Sequence, residues 1–163
     1  MSNKTKNIAL IGVSTALAMV LAYIEVLIPP LFPAVPGIKM GLPNIIIVFL
    51  LYKRGPAFAI SVSLIRMVLV SLLFGNAMMF IYSLAGGILS MAVMLILQKL
   101  RFLSTVGVSV AGAVAHNAGQ ILMAMLLLET GELGYYLVVL TITGTISGVL
   151  IGIAAATLIN RVE

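Results

Sequence analysis

The run Val106-Gly-Val-Ser-Val-Ala-Gly-Ala-Val-Ala-His-Asn-Ala-Gly-Gln-Ile-Leu-Met-Ala-Met-Leu-Leu-Leu128 decides the fold. It is long enough and apolar enough to cross a bilayer, which takes roughly 20 residues as a helix. Yet it carries His116, Asn117 and Gln120 in its middle. A second apolar run, Phe58–Phe74, carries Arg66 near its centre. A charged side chain at that depth costs at least ~2.5 kcal/mol on insertion scales, so it faces a protein interior, a cavity or a partner. These residues are the first candidates for function.

Composition extends that reading to the whole chain. Of 163 residues, 63% are hydrophobic and only 8% charged, against about 25% charged in a soluble domain. The chain reads as one integral membrane domain, 1–163, of all-α class. There is no Cys, which excludes disulfides and thiol chemistry, and no Asp. The net charge of +5 does not point to nucleic acid. The basic residues stand singly or in pairs at the ends of apolar runs, as membrane anchors do.

Six apolar segments follow one another: about 8–28, 42–52, 56–74, 78–97, 105–128 and 135–159. The second is short, and a re-entrant hairpin is its alternative reading. Charge decides between them. If all six cross, one side collects Lys4, Lys6, Lys53, Arg54, Lys99, Arg101 and Arg161, and the other only Lys39. Without the second crossing every later loop reverses and the imbalance disappears. The bias favours a polytopic bundle of six transmembrane helices with both termini cytoplasmic. A signal peptide is the competing reading of the first segment, but its apolar stretch is longer than the usual 7–15 residues and no A-x-A site follows. The loop Pro29–Gly41, rich in Pro and Gly, is expected to be irregular and to cap a cavity or merely connect two helices.

At ~1.5 Å per residue, Arg66 lies ~15 Å beyond Pro56 and His116 ~16 Å beyond Thr105, both near the midplane. Gln120 continues the His116 face one turn outward, and Asn117 flanks it. Asn44, Lys39, Tyr82 and Ser83 come from the outer half. The inner half offers almost no polar groups. A pocket open to the outside is expected, lined by Arg66, His116, Asn117, Gln120, Asn44, Lys39 and Tyr82. The alternative is that the amides merely bond neighbouring helices, at ~0.6 kcal/mol each on average. Small residues recur at four-residue spacing in Gly144-x-x-x-Gly148-x-x-x-Gly152 and in Ser14, Ala18 and Ala22. Such stripes let backbones approach closely, inside the bundle or against a partner.

The segments Lys39-Met-Gly-Leu-Pro-Asn44, Ser83-Leu-Ala-Gly-Gly-Ile-Leu-Ser90 and Gly107-Val-Ser-Val-Ala-Gly-Ala-Val-Ala-His-Asn-Ala-Gly-Gln120 resemble the Gx transporter family, often labelled heptaprenyl diphosphate synthase component I. The resemblance covers about residues 8–160; Pro43 departs from the small residue of the family pattern. More widely the chain resembles the substrate-binding S components of energy-coupling factor (ECF) transporters. That resemblance implies a bacterial plasma-membrane protein that takes a small molecule from outside. It also implies a transmembrane T component with its ATPases as partner, docked through Ser14, Ala18 and Ala22.

The synthase label meets a chemical obstacle. Diphosphate chemistry of that kind uses Mg²⁺ held by paired carboxylates, and this chain has only Glu25, Glu129, Glu132 and Glu163. There is no Walker A motif for ATP hydrolysis. His116, the lone His, has no sequence-local carboxylate to complete a Ser-His-acid set. The expectation is a non-enzymatic binding subunit without cofactor or metal. Its ligand would be a small anionic or carbonyl-rich amphipathic molecule facing Arg66. A non-catalytic accessory subunit of an isoprenoid or quinone enzyme is the alternative. A proton-coupled carrier ranks last, since only Glu25 comes near the membrane interior.

The charge bias is tested by labelling. In this Cys-free chain, Lys53→Cys should resist an impermeant thiol reagent added outside intact cells and react after permeabilisation. Labelling from outside would reverse the topology.

Overall fold

The computed structural model describes residues 2–28 and 41–162. Lys39 and the capping segment expected before Gly41 lie outside the described residues. Six α-helices follow in order: α1 Asn3–Leu27, α2 Asn44–Lys53, α3 Pro56–Phe74, α4 Ala77–Leu100, α5 Thr105–Leu128 and α6 Tyr136–Arg161. A 3-10 turn, Glu132–Tyr135, leads into α6. Among the described residues there is no strand.

The helix starts follow from local chemistry. Ser2, Asn76 and Ser104 each accept a hydrogen bond from the backbone N–H three residues on, at 3.2, 2.9 and 3.3 Å, as N-caps do. Pro56 opens α3, where its missing N–H costs nothing. Before it, Gly55 turns the chain with φ +93°, a conformation open to glycine.

Five helical stretches are long and apolar enough to cross a membrane: α1, α3, α4, α5, and the 3-10 turn with α6. The short second segment is shorter still as a helix. With 10 residues, α2 rises only ~15 Å, about half of a ~30 Å hydrocarbon core. It is also the most enclosed element. Ile47, Val48, Leu50 and Leu51 are all at most 1% exposed, buried among α3, α6 and the edge of α1. A helix apolar on every side belongs in an interior, which explains why α2 shows no polar face.

Apart from Arg66, the basic residues among those described gather at one end of the bundle. Arg54 and the first turns of α1 border one cleft. Gln98 near the end of α4 donates to the Leu51 carbonyl at 3.0 Å. Gly152 near the end of α6 lies against Val106 at the start of α5. The ends of α2, α4 and α6 thus lie at the same end of the bundle as the start of α1.

Packing is tightest along α4, α5 and α6, with α5 in the middle. The stripe Gly144, Gly148 and Gly152 faces α5. A Cβ on Gly148 would lie 2.7 Å from Val110 Cα, and one on Gly152 2.7 Å from Val106 Cα. On the other side, a Cβ on Gly119 would lie 2.8 Å from Gly86 Cα. In lipid such close backbone contact replaces the hydrophobic effect as the source of helix association.

The α1 stripe lies on the inner side of its helix. Ser14, Ala18 and Ala22, expected to dock a partner, are 6%, 0% and 5% exposed. They face inward, where α1 packs mainly on α3. Small side chains let that contact close.

The seam sets a stability contrast. Gly148→Ala should lower the unfolding temperature in detergent, since overpacking of this kind costs typically 1–3 kcal/mol. Gly12→Ala, where a Cβ would meet nothing within 4 Å, should be neutral or stabilising by up to ~1 kcal/mol. Equal behaviour of the two variants would remove the seam as the source of packing.

Candidate functional site

A cavity of about 90 Å³ lies in the half of the bundle away from the basic end, and every helix contributes to it. It exists because α2 is short. Its first residue, Asn44, begins at mid-depth and borders the space, together with Gly41 just before it. Arg66 enters from α3, His116, Asn117 and Gln120 from α5, Ser83 from α4, and Ser147 from α6. The apolar wall includes Ala22, Met67, Val70, Ala113 and Ile151. Such a volume holds several waters or a small organic group.

Five of the seven binding residues expected from the sequence therefore share one cavity: Arg66, His116, Asn117, Gln120 and Asn44. Tyr82 does not border it. Its neighbour Ser83 does, because one residue along an α-helix turns the side chain by ~100°. Lys39 lies outside the described residues. Glu25 and Ser147 border the cavity without having been singled out as binding residues. A signal for Glu25 was present, since it is the lone carboxylate in the first apolar segment. Ser147, next to Gly148 of the glycine stripe, carried no signal of its own.

The site is seated by glycine. A Cβ on Gly86 would lie 2.6 Å from the His116 carbonyl oxygen, 2.8 Å from Gln120 Cγ and 3.2 Å from His116 Cε1. Only a residue without a side chain lets α4 press on α5 at the level of His116 and Gln120.

Each polar group has a different state of engagement. Asn117 Nδ2 donates to the Leu140 carbonyl at 2.7 Å, tying α5 to α6. The amide thus serves helix packing with one donor while facing the cavity. Ser147 Oγ donates back to the Thr143 carbonyl at 3.0 Å, which leaves its oxygen able to accept. Glu25 Oε1 accepts from the Gly41 N–H, linking the far end of α1 to the approach to α2. Arg66 and Glu25 also attract each other electrostatically. Arg66 Nε is buried and has no hydrogen-bond partner among the described residues.

That last feature is the chemical centre of the site. A buried N–H without an acceptor costs ~1–3 kcal/mol, more on a charged group. Arg66 borders the cavity, and an acceptor that reached this N–H would recover that cost. The remaining set, imidazole plus three amides and two hydroxyls, supplies both donors and acceptors around an organic ligand. Among the described residues no group of three or more His, Cys, Asp or Glu side chains is placed to hold a metal ion.

Comparison with curated proteins and with solved structures gives no match. A family model does match, that of heptaprenyl diphosphate synthase component I, over residues 14–158. That span contains all six helices apart from the ends of the first and last, and every described residue that borders the cavity. The chain is therefore a member of the heptaprenyl diphosphate synthase component I family, the family also labelled Gx transporter.

Proposed function

We propose that this protein is the substrate-binding subunit of a small-molecule uptake transporter in the bacterial plasma membrane, similar in role to an S component. The observation that carries this reading is a polar cavity in an apolar bundle, with an unengaged Arg66 donor at its wall. Ligand pockets combine apolar walls with a few placed polar groups in this way. The cavity lies in the half away from seven basic residues. The positive-inside rule then turns it outward, which suits capture rather than cytoplasmic catalysis.

In this reading Arg66 offers a fixed charge and several donors to an anionic or carbonyl group. His116 and Gln120 orient the ligand, Asn44 approaches from the start of α2, and Met67, Val70 and Ile151 hold its apolar body. The protein is not itself an enzyme. An energising partner, a T component with its ATPases, would have to meet surfaces other than the inward Ser14, Ala18 and Ala22.

The family description favours a second reading, a non-catalytic accessory subunit of an isoprenoid or quinone enzyme. That role needs a helix surface for a partner and makes no demand on a cavity. Mutation of the cavity separates the two.

Mass spectrometry of small molecules retained by the purified protein should identify a bound compound. Arg66→Gln and His116→Ala should weaken its binding roughly tenfold to more than a hundredfold, the worth of a charge-assisted hydrogen bond of ~1.5–3 kcal/mol. The unfolding temperature should show that the fold is kept. Unchanged retention by both folded variants would leave the accessory reading ahead.

A further inference from the structure

A second recess lies at the opposite, basic end of the bundle. Lys6, Asn3 and Asn7 of α1 form one side and Arg54, at the end of α2, the other, with Leu10 and Val13 continuing the wall toward the bundle. Its origin is a packing gap: α1 rests on α3 and touches α2 only slightly. Length adds to it. The 25 residues of α1 rise ~37 Å and the 19 of α3 ~28 Å, so the first turns of α1 reach beyond the hydrocarbon core.

The recess has a polarity gradient. Two cations and two amides stand at the level where headgroups lie. Below them Val13 is 60% exposed, and Leu17 and Val20 continue along α1 at 52% and 57%. A phosphate fits the upper part and an acyl chain the lower, and no soluble anion uses both. Lys4 and Lys53, next in sequence to the cleft and exposed, add positive field.

We infer that this cleft is a binding site for one anionic phospholipid, its phosphate between Lys6 and Arg54 and one acyl chain along the Val13–Val20 face of α1. The site is separate from the polar cavity and does not depend on how that cavity is used. A lipid held there fills the gap that direct packing leaves between α1 and α2.

Native mass spectrometry of the delipidated full chain tests this, with phosphatidylglycerol and phosphatidylcholine of identical chains as probes. One phosphatidylglycerol should remain bound under activation that strips phosphatidylcholine. Lys6→Gln with Arg54→Gln should weaken it roughly tenfold to thirtyfold, at the usual worth of a basic residue near an anionic lipid. Lys99→Gln with Arg161→Gln, an equal charge loss at exposed residues outside the cleft, should keep it. Equal loss in both double variants would reduce the effect to diffuse attraction and overturn the site. Equal retention of the two lipids would also overturn it. So would displacement by inorganic phosphate alone, which would make the recess a simple anion site. If the first double variant unfolds, Lys6→Gln and Arg54→Gln are read singly against Lys99→Gln by the same criteria.

Discussion

The arrangement turns on one guanidinium at mid-membrane depth. Arg66 cannot be left against lipid without a cost of several kcal/mol, so α3 must turn that face inward. An apolar interior would not solve the problem, because an unpaired charge is as costly there. The bundle answers with polar groups from the other five helices, all directed to one space. Glu25 attracts Arg66 from α1, and α5 contributes an imidazole and two amides. Because the Nε of Arg66 still has no partner among the described residues, the answer is incomplete in a way that a ligand would complete.

The bundle treats its two halves differently. Helices α4, α5 and α6 are joined along glycine seams where no added Cβ would fit. Helix α1 packs mainly on α3, and Ser14, Thr15, Ala18 and Ala22 are its buried residues. The cavity lies where these halves meet. Asn117 tightens one side through its bond to the Leu140 carbonyl, and Glu25 joins α1 to the approach of α2 through the Gly41 N–H. A group bound in the cavity would touch both halves at once.

Much of this was legible in the sequence. The bounds of α3 and α5 coincide with those read from hydropathy, because a glycine–proline pair and a serine cap mark their starts. Arg66, His116, Asn117 and Gln120 were found because polar groups in an apolar run are expensive, and expense is visible without coordinates. Asn44 followed from depth. What failed was direction around a helix. Tyr82 and Ser83 differ by one position, and only packing of α4 on α5 decides which faces the cavity. For Ser14, Ala18 and Ala22 the spacing left open which neighbour is met. Four-residue spacing shows that a backbone comes close, and is silent on whether that backbone is the protein's own. Glu25 was visible as a carboxylate near the membrane, but its place beside Arg66 depends on how α1 leans on α3.

The brevity of α2 also bears on how the protein is made. A helix of ten residues is too short to be stable in lipid as a separate crossing. Its side chains find their neighbours on α3, which follows at once, and on α6, which is synthesised more than eighty residues later. During biosynthesis α2 therefore sits at the membrane with one flank uncovered until the C-terminal helix arrives. The flank of α2 that packs on α6 has no cover until α6 has been made. The mouth of the polar cavity takes its final shape at that same moment, because Ser147 and Ile151 on α6 form part of its wall.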